Sequence, residues 1–275
     1  MESTRPIRAL MRGLDALTVL NMRDGATVSE VAQEIHLPRT TVYRILETLC
    51  DAGFVFRDNA DDRYRLTIQV RSLSHGFDDE AWVTQVAKPL IHELGREIVW
   101  PISIATLSGT TMLMRECTDH SSPLAVARHS AGFREPLLNS ASGRVYLAYS
   151  SATQRDALLD MLAHSHKEED KLARARAELS RLLADIKNAG YATVTRTRGA
   201  SEEVSLSVAI LLAERAVASL VVRFASPAVP VKVGVERFLP KLRQCAARIG
   251  TLYSEQQSEP SIIGQGRIDP VNTGA

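Results

Sequence analysis

The amino-acid sequence predicts an α+β chain in two parts: a small trihelical unit closed by a β-ribbon, then a larger part in which strands alternate with helices. Three observations carry this. Apolar residues recur at helical spacing through the first fifty positions, and two short extended runs follow around the turn-forming Asn59-Ala60-Asp61-Asp62. The length of 275 residues, 45% of them hydrophobic and 24% charged, suits two cores better than one. The 33 basic and 32 acidic residues leave a net charge of +1, which argues against a polyanion binder held by bulk charge alone. Cys50, Cys117 and Cys245 fall in no CxxC pair or metal-ligand spacing, so neither a zinc site nor a disulfide framework is expected. Arg8, Arg12 and Asp15 break up the first leucines, and the apolar stretch at 209–213 stops at Glu214 and Arg215. The expectation is a soluble cytoplasmic protein with no membrane partner and no bound cofactor.

Taken in order, Ile7, Leu10, Met11, Leu14, Leu17 and Leu20 share one face of a first helix that Gly25 ends. Thr27 lies three residues before Glu30, a capping box opening a second helix whose buried stripe is Val28, Val31, Ala32 and Ile35. Pro38 suits the first turn of a third helix, with Val42, Ile45, Leu46 and Leu49 inward and Gly53 as its stop. Extended runs at 54–58 and 63–66 form the ribbon. Leu66, Val70, Leu73 and Phe77 then make a narrow apolar seam on a linker helix, suited to a partner helix. A helix over 81–97 follows, with Pro89 marking a kink or boundary. Strands are expected at 102–107 and 112–117 around Ser108-Gly109, and again at 124–128. Helices are expected at 143–149, from a second capping box at Ser151 and Gln154, and over 172–189 up to Gly190. A strand pair at 204–212 and 217–224 and a helix over 235–253 complete the pattern. From 254 the composition turns to Gln, Ser, Pro and Gly, and a disordered tail is expected to 275.

The informative segment is 28–47. A helix–turn–helix needs apolar anchors where two helices cross and a small residue at the crossing. Val31, Ile35, Leu37, Val42 and Ile45 are the anchors, Ala32 is the small residue, and His36 takes the turn position where glycine is preferred. The outward face of the third helix then carries Arg39, Thr40, Thr41, Tyr43 and Arg44. Arginine can grip guanine edges or clamp phosphates, and threonine hydroxyls can reach phosphate oxygens or bases. Arg57, Arg63 and Arg65 on the ribbon would serve a wing along the DNA backbone or minor groove. Periodicity alone fits three ordinary helices with a solvated face; trihelical spacing, the proline and a basic ribbon together favour double-stranded DNA. Residues 1–66 hold nine arginines, no lysine and ten acids, so non-specific affinity per subunit should be modest and two or more copies on a symmetric site are expected.

Other chemistry-bearing residues read as bland. His164 and His166 sit two apart and point to different sides of a helix, without further ligands nearby. Ser140 and Ser142 lack a nucleophile elbow or a matched His/Asp order, which argues against a serine hydrolase. Trp100 and Tyr146 can stack on an aromatic ligand but fit a plain core better.

The runs Val28–Ala32, Leu37–Leu46, Gly53-Phe54-Val55, Arg63–Leu66, Leu137–Gly143, Gly190-Tyr191, Ser207-Val208-Ala209 and Ala218–Phe224 resemble the IclR family of bacterial transcription regulators, over nearly all of 7–253. The resemblance implies an α+β fold: a winged helix–turn–helix DNA-binding domain at 1–67, a linker helix at 68–80 and a GAF-like effector domain with an antiparallel sheet at 81–253. It implies a homodimer or homotetramer on a DNA operator, a small carboxylate effector, and altered engagement of operator or RNA polymerase, not catalysis. The family's pocket positions fall on Ser140, Ala141, Ser142, Gly143, Ser207, Val221 and Arg223. The family often has serine at the last two. Valine makes the wall more apolar and arginine can pair with a carboxylate, so an aromatic acid, such as an arylpropionate, is expected. The family's acidic position after Gly190-Tyr191 is Val194 here. Two rival readings stay open: an enzyme acting on a small acid in the second domain, and a ligand-independent DNA-binding protein.

Overall fold

The computed structural model describes residues 7–23, 25–73, 81–198 and 201–258. The first unit packs α1 (Arg8–Asn21), α2 (Val28–Glu34) and α3 (Arg39–Asp51) around Ala16, Leu20, Val31, Val42 and Leu46, with Tyr64 of the ribbon closing the core. The capping box forms as expected: Thr27 Oγ1 accepts from the Glu30 N–H, and the Glu30 carboxylate accepts from the Thr27 N–H at 2.8 Å. His36 adopts φ +51°, the left-handed turn that the spacing required, and Gly53 ends α3 at φ +78°. The ribbon strands β1 (Val55–Asp58) and β2 (Arg63–Leu66) pair antiparallel, with Arg57 opposite Tyr64. The stripe on α1 departs from expectation. Only its second half is buried, while Ile7, Leu10, Met11 and Leu14 are exposed. Of the expected linker helix, α4 (Gln69–Ser72) is seen, flanked by Ile68 and Leu73; positions 74–80, with Phe77, lie outside the described residues.

The second unit is one six-stranded antiparallel sheet clothed on both faces. Its helix from 81 passes through a π-helical stretch (Val83–Ala87) into α5 (Lys88–Ile98), so Pro89 is absorbed in the first turn of α5 without a break. There follow β3 (Ile102–Ser108), β4 (Thr111–Cys117), β5 (Arg134–Pro136), α6 (Ala141–Tyr149), α7 (Ala152–Ala163), a 3₁₀ stretch (Glu168–Arg174) and α8 (Arg176–Ala189). Then come β6 (Ala192–Arg198), β7 (Ser201–Leu212), β8 (Arg215–Ala225) and α9 (Val231–Ser258), in sheet order β5-β4-β3-β8-β7-β6. Alternation divides the sheet. Ile102, Ile104, Leu206, Leu220, Val222 and Phe224 pack under α5 and α9. Ala105, Met112 and Ala192 pack with α6, α7 and α8 on the other side.

Three expectations are corrected here. Residues 124–128 are turns and bends, not a strand. The Ser122 N–H donates to the Thr118 carbonyl, Ser122 Oγ donates to the Val99 carbonyl and accepts from the Leu124 N–H, and these local bonds replace a ladder. The edge strand is instead the short β5, whose Glu135 lies opposite Met112. The second capping box is half made: Ser151 caps the Gln154 N–H, but the Gln154 amide donates to Tyr146 Oη. Finally, the helix expected to stop at 253 runs on through Ser258, because Tyr253 packs on Trp82 at 4.7 Å and Gln256 donates to Gln85 at 3.1 Å. Positions 259–275 of the expected tail lie outside the described residues.

Candidate functional site

The first turns of α3 begin immediately after Pro38, whose fixed φ orients the chain into the helix. Val42 and Leu46 turn inward, which leaves Arg39, Thr40, Tyr43 and Arg44 exposed and Thr41 half-buried. Thr40, Thr41 and Arg44 also border a groove of about 740 Å³ whose other wall is the apolar face of α1, with the exposed Leu10 and Leu14 and the half-buried Leu17.

The ribbon arginines are placed differently from the expectation. Arg63 donates to the Gly25 carbonyl at 3.0 Å and grips the Glu30 carboxylate at 3.1 and 3.2 Å. Arg65 donates to Asp58 at 2.7 Å and to Asp61 at 2.6 and 3.0 Å. Arg57 donates to Asp62 at 2.6 Å and lies over the Tyr64 ring. Hydrogen bonds from Arg65, above all, hold Asp61 below the ordinary carboxylate range. Arg63 and Arg65 therefore brace the ribbon against α2 and its own turn, and three acids of the ribbon turn offset its positive charge. Sequence spacing placed these arginines on one ribbon; it carried no sign of which carboxylates they would meet.

The second candidate region is the polar end of the α6-facing side of the sheet. Ser140 caps α6: its Oγ accepts from the Gly143 N–H at 3.1 Å and donates to the Pro136 carbonyl at 2.8 Å. Gly143 is obligatory for packing, since a Cβ there would lie 2.0 Å from the Leu137 carbonyl oxygen. Ser142 Oγ donates to Glu135 at 3.0 Å, and Glu135 accepts from Arg196 at 3.1 Å, so a carboxylate of the chain already stands beside this helix start. Ser219 Oγ donates to the Ser142 carbonyl at 2.8 Å and ties the loop to the sheet. Ser207 and Val221 are direct cross-strand partners, and Arg223 lies two residues further along the same face, opposite Ser205. All the expected positions thus converge on one side of the sheet. Trp100 does not, since it packs edge-on to Phe224 beneath α5 and α9, and Tyr146 is core.

Arg223 is not free. It is 4% exposed, its Nη2 donates to Asp119 Oδ1, and its Nη1 donates to His129 Nδ1. The other Asp119 oxygen accepts from the His129 N–H at 2.8 Å. Asp119 is 0% and His129 2% exposed, so this is a closed polar triad. Burial by itself would raise the Asp119 pKa, but hydrogen bonds from His129 and the Arg223 charge outweigh it and hold the carboxyl below its ordinary value. Beside it, burial pushes the Cys117 thiol up to about 12, which leaves it unreactive. Asp119, His129, Glu135 and Arg196 are the residues that sequence reasoning missed. Their partners lie 7 to 104 positions away, and no local pattern announces them.

A trihelical unit with an exposed basic helix start and a β-ribbon, followed by a two-faced antiparallel sheet with an enclosed polar end, defines a winged helix–turn–helix protein carrying a second, larger domain. The chain belongs to the IclR family of bacterial transcriptional regulators. Residues 9–59 match the IclR helix–turn–helix domain, and residues 79–251 match the bacterial transcriptional regulator IclR C-terminal domain. A helix–turn–helix-type transcriptional regulator of Haemophilus influenzae is 28% identical over 168 residues, 60% of either chain. Among solved structures, Thermotoga maritima IclR superimposes with a TM-score of 0.59 at 17% identity, covering 90% of this chain and all of that one. An IclR homologue of Microbacterium hydrocarbonoxydans, solved with 4-hydroxybenzoate, gives 0.57 at 23%, covering 88% and 98%. The family and these relatives are transcriptional regulators, not enzymes. Among the described residues, no cluster suits a metal ion and no helix is long and apolar enough to cross a membrane.

Proposed function

We propose that this chain is an effector-responsive regulator that activates an aromatic-acid catabolic operon. Arg39, Thr40, Tyr43 and Arg44 of α3 enter the major groove with Thr41 beside them, and the ribbon lies along the DNA backbone with Arg57 held on Asp62. Arg63 and Arg65 act by holding the ribbon in place. The observation that carries the reading is the exposure of the first turns of α3 beyond Pro38. The open apolar face of α1 supports action as a homodimer or homotetramer, and a symmetric operator would compensate for the low net charge of each unit.

The effector is a small aromatic carboxylate of the hydroxyphenylpropionate type. It occupies the sheet face marked by Ser140–Gly143, Ser207, Val221 and Arg223, and its binding changes engagement of operator or RNA polymerase. Supporting this are Arg223 on that face and the structural neighbour solved with 4-hydroxybenzoate. The runs Arg65–Arg71, Gly76-Phe77, Val99-Trp100-Pro101 and Ala141-Ser142-Gly143 also resemble MhpR, the regulator of 3-(3-hydroxyphenyl)propionate catabolism. The test is operator binding and transcription with and without that acid. An unchanged affinity, footprint and transcript level would overturn the sensor role.

A further inference from the structure

The charge arrangement around Arg223 has more to say than its presence. Asp119 meets the guanidinium through one oxygen, on Nη2, while its other oxygen is held by the His129 N–H. Arg223 Nε is buried and has no acceptor. An arginine–carboxylate pair reaches full strength when two N–H groups meet two oxygens, so the internal pair is incomplete. A carboxylate bridging Nε and Nη2 would complete it, but Nη2 is where Asp119 sits. Two carboxylates crowded on one buried guanidinium repel each other, and the enclosed site has no bulk water to screen them. Asp119 belongs to the irregular segment between β4 and β5, which meets the same guanidinium once more through His129 Nδ1 on Arg223 Nη1 and is otherwise held by neutral bonds such as Ser122 to the Val99 carbonyl, Cys117 Sγ to the His129 carbonyl, and the Gly132 N–H to the Met114 carbonyl.

We propose that Asp119 is a built-in stand-in for the effector's carboxylate: an incoming arylcarboxylate takes Arg223 from Asp119, and the stretch 119–130 loosens from the sheet as the exchange occurs. This rests on the reading of that sheet face as the effector site. It adds the event by which occupancy becomes a change in the chain. The ligand enters as an anion and an internal anion leaves the guanidinium, so the charge at Arg223 stays balanced. A neutral analogue cannot drive the exchange.

The full-length chain should be titrated by calorimetry with 3-(3-hydroxyphenyl)propionate and with its neutral amide. In parallel, hydrogen exchange should be followed in peptides spanning 118–133. The acid should bind, the amide should bind far more weakly, and the acid should speed exchange at the His129 amide, whose acceptor is Asp119. Asp119→Asn should bind the acid about tenfold more tightly, the size of an ordinary coupling between competing groups, and Arg223→Gln should lose the preference for acid over amide. If the wild-type chain binds no acid, the effector reading falls and the exchange with it. If the acid binds while the His129 amide becomes no faster or grows more protected, the exchange alone is overturned, whether or not Asp119→Asn folds. Equal affinity of a folded Asp119→Asn overturns it as well.

Discussion

At the scale of single residues, Arg44 offers the most direct test of DNA recognition. It is exposed on α3, so Arg44→Ala removes a side chain without disturbing a core. Specific operator affinity should fall by roughly 1–3 kcal/mol if the residue reads a base, measured by electrophoretic shift against operator and scrambled duplexes. Gly143→Ala tests packing instead. The added methyl meets a backbone carbonyl that cannot swing aside, and a loss of about 1–3 kcal/mol, the ordinary scale of overpacking, should appear as a lower melting temperature. Asp119 has a pH signature. Its folded pKa is depressed, so the stability it lends is complete above the unfolded value of about 3.9 and is lost as pH falls through the lower folded value. Unfolding followed from pH 6 downward should therefore steepen below about pH 4 in the wild type and less so in Asp119→Asn.

At the scale of elements, the N-terminal unit was largely legible because its signals are local. The capping box Thr27/Glu30, the proline at α3 and the stop at Gly53 each act within one turn of a helix; the box and the stop are found where the spacing put them, and Pro38 stands just ahead of the first turn, as the N-cap. Thr27→Ala should cost about 1 kcal/mol, read by chemical denaturation. The misplacements share one cause: side chains that find their partners outside their own turn of the chain. Ser122 turns 124–128 into bends, Gln154 reaches Tyr146 instead of its own cap, and Tyr253 and Gln256 hold α9 helical past the last hydrophobic pattern. The arginines of the ribbon follow the same logic. Their residue type was visible, but whether a guanidinium meets phosphate or a neighbouring carboxylate is decided by tertiary placement.

At the scale of the whole molecule, charge and apolar surface set two expectations. With Arg57, Arg63 and Arg65 engaged by acids, Arg39 and Arg44 are the arginines of the α3 face left for phosphates or bases. If both release counterions, the dependence of log affinity on log salt should be about −2 per subunit, and about −4 for a dimer. A much steeper slope, measured by fluorescence anisotropy across salt concentrations, would mean that the ribbon arginines abandon their partners on DNA. Leu10→Glu with Leu14→Glu places charges on the exposed face of α1 without touching the buried half of that helix. Sedimentation of this double variant should shift toward smaller species and operator affinity should drop; an unchanged assembly would locate self-association elsewhere. The second domain's site was only partly legible. Strand alternation could not decide which way Arg223 faced, and its counter-charge lies 104 positions earlier.

Strand β8 has one further property. Arg223 belongs to the polar compartment, whereas the next residue, Phe224, enters a ring cluster with Trp100 and Phe238 and presses on Gly234 of α9 on the other face. The wall between the two compartments is a single peptide unit thick. A tug on the guanidinium side reaches the aromatic side through one Cα–Cα step, so the sheet works like a drumhead that passes a touch on one skin to whatever rests against the other.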